Sequence, residues 1–253
     1  MTTPVTRAML LAAGLGERLR PLTERVPKPL VPVGGRPMVH YMLDLLAAAG
    51  IREVHVNTHH LGERVADALG DGAAWGLSLC YHPEEKILGT GGALKAAATA
   101  CPGLAAGHFA MVNADVLTDA DLTALCVRHA AEAPLATLLL RDDPEARRYG
   151  VIGTDRDDRI RRFLDADIGG AVHERMFTGL QVLSPDIFKH MPDRGVFPIT
   201  DAYKAALVSG ERLVGPPHPG YWADLGTPGR LLAADADLAA GRAGRLAPKG
   251  GPT

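Results

Sequence analysis

Compact apolar runs alternate with amphipathic stretches along most of the chain. Residues 8–12 form an apolar run that follows polar residues, the pattern of a strand buried on both faces. Further strands are predicted at 54–57, 77–81, 108–113, 135–140 and 177–183, with shorter ones at 213–215 and 221–224. Helices are predicted at 38–49, 61–69, 91–99, 121–132, 199–209 and 228–240. In the first of these, Val39, Leu43 and Leu46 recur every three to four residues, as a core-facing stripe should, and Gly50 follows as a C-cap. Pro37 and Pro228 stand at helix starts, where a missing N–H costs nothing. Four prolines between Pro27 and Pro37 exclude a regular helix there.

Strand and helix signals alternate through the first half, which predicts an α/β fold. The sheet is expected to be Rossmann-like, mixed but mostly parallel, with helices on both faces. The second half changes character. Residues 149–154 and 159–164 flank a polar turn at 155–158 and read as a hairpin beside the main sheet. One domain is expected over residues 1–240, with a first half at about 7–140 and a smaller β region at about 141–240. Residues 241–253, rich in Gly, Pro and basic side chains, are expected to be a flexible tail.

Charge narrows the partners. Lys plus Arg is 27 and Asp plus Glu is 29, so the chain lacks the concentrated positive charge that a nucleic acid backbone requires. The first apolar run is broken at once by Gly14, Gly16, Glu17 and Arg18, too soon for a signal peptide. No stretch reaches membrane-spanning length, so a cytoplasmic protein is expected, as a monomer or a homodimer. Cys80, Cys101 and Cys126 are widely spaced, without a CxxC pair, and read as structural thiols in a reducing compartment. His55, His59 and His60 cluster near a strand end. With no later Cys or His at an obvious zinc spacing, they read as satisfied or exposed histidines.

The strongest chemical signal is the segment LAAGLGERLR at residues 11–20. Gly14 and Gly16, directly after a buried strand, let the backbone turn tightly so that N–H groups can face phosphate oxygens. Arg18 and Arg20 add fork-shaped donors. The spacing is neither that of a P-loop nor that of a dinucleotide loop. A surface turn with solvated arginines is the plainer alternative. Downstream, Pro27 and Pro29 clamp Lys28, which lowers the entropy cost of placing its ammonium. Glycine loop, Arg18 and Lys28 together suit a triphosphate.

Two acids could hold a metal. Asn113-Ala114-Asp115 ends a predicted strand, and Asp224 lies in the run YWADLGTP. Mg2+ takes hard oxygen ligands, so two carboxylates plus phosphates suffice, although either Asp could instead cap a turn. A second glycine-rich loop, LGTGGA at residues 88–93, precedes a helix. Gly91 and Gly92 could let a flat base lie against backbone, or Thr90 could merely cap the helix.

Residues 11–37, LAAGLGERLRPLTERVPKPLVPVGGRP, resemble the signature of the sugar-1-phosphate nucleotidylyltransferases, and the resemblance runs from Arg7 to about Leu238. It implies an NTP and a sugar 1-phosphate as substrates, with pyrophosphate released and an NDP-sugar formed. It implies phosphate contacts and transition-state stabilisation by Arg18 and Lys28, with Asp115 and Asp224 holding Mg2+. Nucleotide contacts are implied at Leu11, Ala13, Gly14, Gly16, Gly89, Thr90, Gly91 and Asn113, and sugar contacts at Gly150, Glu174, Thr178 and Gly179.

The LGTGG form is similar to guanylyltransferases acting on mannose or heptose 1-phosphate, which favours GTP with mannose 1-phosphate or a related sugar. A UTP-dependent N-acetylmuramate-1-phosphate uridylyltransferase is the alternative. Where many relatives carry a sugar-phosphate lysine, this chain reads FLDAD at 163–167, leaving Arg161 or Arg162 to supply the charge. Thr200 or Asp201 could serve a sugar hydroxyl, with helix capping preferred for Asp201. The missing lysine also keeps open a reading of another class, an inactive nucleotide-sugar-binding regulatory subunit.

Overall fold

The computed structural model describes residues 4–246. The chain runs β1 (Arg7–Leu11), β2 (Pro32–Val33), β3 (Arg36–Pro37), α1 (Met38–Ala48), β4 (Glu53–Thr58), α2 (Gly62–Leu69), β5 (Ser78–Pro83), α3 (Gly89–Ala100), β6 (Phe109–Asn113), β7 (Val116–Thr118), α4 (Leu122–Glu132) and β8 (Ala136–Arg141). It continues through α5 (Ala146–Tyr149), β9 (Ile152–Thr154), β10 (Ile160–Phe163), β11 (Ala166–Asp167), β12 (His173–Leu183), α6 (Ile199–Val208), β13 (Leu213–Val214), β14 (Trp222–Asp224) and α7 (Pro228–Ala239). The proline-rich stretch forms two short 3-10 turns and the β2–β3 pair, as a segment that cannot donate helix hydrogen bonds must.

The sheet is the expected Rossmann-like α/β kind. β5, β4, β1 and β6 are neighbours and run parallel. Beyond β6 lies the long β12, antiparallel to β6, β8 and β9. Side chains of β1 and β6 alternate between two cores. Ala8, Leu10, Ala110 and Val112 join residues of α1 and α4 on one face. Met9, Phe109 and Met111 join residues of α3 and α6 on the other. Because both faces are covered, these strands read as continuous apolar runs.

The expected hairpin is β9–β10, lengthened by β11. Its base is fastened by Arg175 of β12, a buried cation that donates to Asp158, Thr154 and the Gly215 carbonyl. A third core of Leu19, Val31, Tyr41, Leu117, Leu225 and Leu231 seats α7 and the phosphate-loop region on the β7–β14 ladder. Of the expected tail, residues 241–246 continue past α7 with Ala243 buried, and residues 247–253 lie outside the described residues. Asp201 does not cap α6. Pro198 occupies the N-cap, and Asp201 stands in the first turn, 3.4 Å from Lys204. No helix among the described residues is long and apolar enough to cross a membrane.

Candidate active site

The C-terminal ends of three parallel strands define the site. Asn57 of β4, Leu11 of β1 and Asn113 of β6 lie in one register row across the sheet. Loops leaving such strand ends diverge and open a crevice, the usual ligand position in this architecture. A cavity of about 240 Å³ opens there, lined by Leu11, Ala12, Ala13, Gly14, Lys28, Pro29, Asn57, Glu84, Ile87, Gly89, Thr90, Asn113, Ala114 and Asp115. Eight of the expected site residues are in that lining.

Gly14 borders the cavity, whereas Gly16 works one step behind it. Gly16 has φ +66°, and a Cβ there would sit 2.7 Å from Thr23 Cγ2 and 3.1 Å from Lys28 Cβ. The glycine thus lets the loop turn back under the lysine segment, and the Thr23 hydroxyl donates to the Gly16 carbonyl at 2.8 Å. This fold-back delivers Lys28, whose ammonium is ion-paired with the Asp115 carboxylate. The Lys28 side chain is only 13% exposed, so the pair is partly desolvated and its attraction is stronger than at an open surface.

Asp224 reaches the same place from far along the chain. The β14–β7 ladder sets Asp224 opposite Val116, the residue after Asp115, and Leu225 N–H donates to the Asp115 carbonyl at 3.0 Å. Gly226 N–H donates to Asp224 Oδ1 at 2.7 Å, and Arg230 ion-pairs with the other carboxylate oxygen. A Cβ on Gly226 would lie 2.5 Å from Arg18 Nη2 and 2.7 Å from Asp224 Oδ1. Arg18 therefore lies over Gly226 beside Asp224, outside the cavity lining. Lys28 and Asp115 line the crevice, and Asp224, Arg18 and Arg230 cluster behind them, outside its lining.

Glu84, not singled out from the sequence, ties together two loops of the cavity wall. Its carboxylate accepts from Asn57 Nδ2 at 2.7 Å and from Leu88 N–H at 2.8 Å. Asn57 in turn accepts from Ala12 N–H at 2.8 Å through its side-chain oxygen. The chain Ala12–Asn57–Glu84–Leu88 ties the phosphate loop to the second glycine loop. That loop differs from expectation. Gly91 and Gly92 donate to the Phe197 carbonyl at 3.0 and 3.1 Å, and a Cβ on Gly91 would strike the Phe197 ring at 2.5 Å. Their bareness serves packing against residues 195–199, and only Gly89 and Thr90 of the loop line the cavity. Thr90 does not cap α3; its hydroxyl accepts from Ile199 N–H at 2.8 Å.

The expected sugar-side residues are divided. Gly179 has φ +90°, and a Cβ there would sit 2.9 Å from Asn113 Nδ2, so it adjoins the cavity wall. Thr178 is buried with its hydroxyl donating to the Leu139 carbonyl at 2.7 Å, while Trp222 Nε1 donates to the Thr178 carbonyl at 2.8 Å. Its side chain is thus spent inside the fold. Glu174 is exposed and hydrogen-bonded to Arg162 at 2.6 Å, and that guanidinium lowers the Glu174 carboxyl pKa. Arg161 donates to the Gly169 carbonyl at 2.8 Å. Both arginines expected to replace the lysine are therefore engaged in the hairpin.

Nearer Asp224 stands a different pair. Arg141 lies 5.8 Å from the Trp222 ring centre and Arg230 lies 5.1 Å from that of Tyr149. Tyr149 meets Trp222 edge to face, and Gly150, with φ +98°, lets Leu164 close behind the turn. Burial raises the Tyr149 phenol pKa, so it is a neutral hydroxyl near neutral pH and no base.

A crevice of about 240 Å³ at parallel strand ends, with an acid and a cation in its lining, has the chemistry that suits a phosphate-bearing ligand. The nucleotidyl transferase family model matches residues 7–241. An N-acetylmuramate alpha-1-phosphate uridylyltransferase of Neisseria meningitidis is 36% identical over 91% of this chain and 97% of its own length. A mannose-1-phosphate guanylyltransferase of Mycobacterium tuberculosis is 34% identical over 95% of this chain and 67% of its own. A solved Bacillus anthracis structure assigned as a glucose-1-phosphate thymidylyltransferase, in complex with a sucrose, superposes with a TM-score of 0.77 at 25% identity, covering 91% of this chain and 94% of that one. The chain belongs to the nucleotidyl transferase family, in its sugar-1-phosphate nucleotidylyltransferase group.

Proposed function

We propose that this chain transfers a nucleoside monophosphate from an NTP to a sugar 1-phosphate at the Lys28–Asp115–Asp224 edge of the crevice, releasing pyrophosphate. The observation that carries the reading is that Asp115, in the turn after β6, lines the cavity while β14 brings Asp224 opposite Val116, the next residue. The donor set fits Mg2+: both side chains are hard-oxygen carboxylates, and each is now balanced by a protein cation, Lys28 or Arg230. When bound there, the ion would neutralise charge on the α-phosphate and orient the acceptor phosphate.

The residues do the rest. Backbone N–H groups around Ala13 and Gly14 and the Lys28 ammonium meet the phosphates, and Arg18 stabilises charge as it develops. A sugar phosphate is already ionised at neutral pH, since its second pKa is about 6, so no protein base is assigned. Its oxygen attacks the α-phosphorus in line, and pyrophosphate departs. Arg230 and Arg141 flank Tyr149 and Trp222 and are the cations assigned to the incoming sugar phosphate, which would draw them from their present partners Asp224 and Asp143. Gly179 lets Asn113 pack against its bare backbone at the cavity wall, on the side proposed for the sugar.

For the base, GTP with mannose 1-phosphate is the first reading. Glu84 lines the cavity with an acceptor carboxylate, and guanine presents two adjacent donors where uracil presents one. UTP with N-acetylmuramate 1-phosphate is the second, supported by the 36% identical relative of that name. These relatives are named as transferases, which gives the inactive-subunit reading no support. The test offers GTP and UTP, each with mannose 1-phosphate and with N-acetylmuramate 1-phosphate, in Mg2+, while pyrophosphate release is followed. Fastest release with GTP and mannose 1-phosphate is expected. A preference for UTP would reverse the base assignment, and no release from any NTP with a wider panel of sugar 1-phosphates would overturn the reaction.

A further inference from the structure

A second cluster of donor side chains sits outside the crevice lining, at the sheet edge formed by β5, where His82 is the register partner of Asn57. His55 of β4 and Cys80 of β5 are register partners, and His82 lies two residues on, on the same face of β5. Cys101, the C-cap residue of α3, comes down on them from the adjoining helix layer. One ligand atom from each of the four lies within 4.8 Å of all the others. His55 is buried, while the other three are half-buried, which leaves a path for an ion to enter.

The spacings suit tetrahedral coordination. The two sulfurs are 3.9 Å apart, and Zn–S bonds of about 2.3 Å at a tetrahedral angle place sulfurs about 3.8 Å apart. His55 Nδ1 and His82 Nε2 are 2.8 Å apart, and Zn–N bonds of about 2.0–2.1 Å require about 3.3 Å, so the rings need open by only about 0.5 Å. The sulfurs are also far beyond the roughly 2.05 Å of a disulfide.

An outer partner is already in place. His55 Nε2 is 2.9 Å from Glu53 Oε1, and Glu53 is itself held by Arg7 at 3.4 Å. A carboxylate on the far nitrogen fixes the His55 tautomer with Nδ1 free to ligate, the arrangement that metal-binding histidines usually have. His59 and His60 are not part of the cluster; they bond the carbonyls of Glu84 and Thr23.

From this geometry we infer that His55, Cys80, His82 and Cys101 bind a thiophilic transition-metal ion, Zn2+ foremost, which clips edge strand β5 to the end of α3. Two thiolates and two imidazoles select such an ion and reject Mg2+, unlike the oxygen donors of the crevice. Binding exchanges the two thiol protons for the ion, and His82 moves its ring proton to Nδ1. α3 is twelve residues long, about 18 Å, and its first residues Gly89 and Thr90 line the cavity. The clip therefore steadies the helix behind the nucleotide loop without touching the reacting groups.

The test uses tag-free, reduced, chelator-stripped protein titrated with Zn2+ against a chromophoric chelator, and separately with Co2+. One equivalent of Zn2+ per chain is expected, with thiolate-to-Co2+ charge transfer and the intense visible bands of a tetrahedral site. Cys101→Ser should weaken Zn2+ by more than about 100-fold, and Glu53→Gln by about tenfold, with Cys126→Ser binding as wild type. Zn2+ should raise the thermal midpoint of wild type and not of Cys101→Ser. In wild type, without any substitution, Zn2+ should slow alkylation of Cys80 and Cys101 at least about tenfold. No stoichiometric uptake, a Co2+ spectrum lacking thiolate bands, undiminished alkylation, or equal affinity in Cys101→Ser would each overturn the site.

Discussion

Lys28 and Asp115, 87 residues apart in sequence, are ion-paired at the rim of the nucleotide-sized cavity. A cation suited to phosphate and an acid suited to a metal thus neutralise one another while neither ligand is bound. Lys28→Met and Asp115→Asn should each lower kcat by about 10²–10³-fold, the usual loss when a fixed transition-state charge is removed. Stability should fall by no more than about 1 kcal/mol in Lys28→Met, which leaves the 29% exposed Asp115 carboxylate solvated, and by more in Asp115→Asn, which leaves the 13% exposed Lys28 ammonium without its partner. Steady-state kinetics beside chemical denaturation separates the two effects; near-wild-type turnover in both variants would remove these residues from the mechanism.

Glu84 links Asn57 to the Leu88 backbone and so sets the width of the nucleotide slot. Glu84→Ala should raise KM for the NTP about tenfold and change kcat by less than about threefold, because lost positioning of the ground state is uniform binding. Initial-rate kinetics at saturating sugar phosphate checks this. An equal fall in kcat with unchanged KM would place Glu84 in the chemical step instead.

Gly89 holds φ +73° with the Phe197 carbonyl oxygen 2.7 Å from where a Cβ would stand. Gly89→Ala should cost about 1–3 kcal/mol, since both the dihedral and the contact oppose a side chain and the obstacle is backbone. Gly103→Ala, with nothing within 4 Å, is the matched control and should be neutral. Urea denaturation midpoints compare the two.

The strands β1 and β6 were legible because each carries an unbroken apolar run, as burial on both faces demands. The phosphate loop and Lys28 were legible because glycines and prolines state their backbone needs locally. Glu84 was not, since nothing in its neighbourhood shows that its partners will be Asn57 and Leu88. Gly91 misled for a related reason: a bare backbone suits a ligand or a phenyl ring equally, and Phe197 arrives from 106 positions away. His55, Cys80, His82 and Cys101 have no motif spacing, because the pairing of parallel strands β4 and β5 brings them together. Asp201 failed as a cap because the chain enters α6 from Pro198, three residues earlier.

Acid should weaken the fold through His129. This residue is fully buried between Thr137 and His108, at 2.9 Å from each, and burial, then the neighbouring imidazole, push its pKa down to about 3. Unfolded, it takes a proton near pH 6.5. The folded state binds fewer protons between those values, so stability is full above about pH 6.5 and falls as pH drops toward about 3. Between about pH 6.5 and 5 the loss is about 2 kcal/mol from this group. Denaturation curves at both pH values for wild type and His129→Gln check it: the variant should lose less stability over that interval, and an equal loss would place the acid sensitivity elsewhere.

The central claim is attack at the α-phosphorus by a sugar phosphate at the Asp115–Asp224 edge. The most direct measurement follows the label from NTP carrying ³²P at the α position, and in parallel at the γ position, with Mg2+ and the accepted sugar 1-phosphate. The α label is predicted to appear in the NDP-sugar and the γ label in pyrophosphate alone, with both transfers reduced about 10²-fold or more in Asp115→Asn. Transfer of the γ label to the sugar, or an undiminished α transfer in Asp115→Asn, would contradict the account.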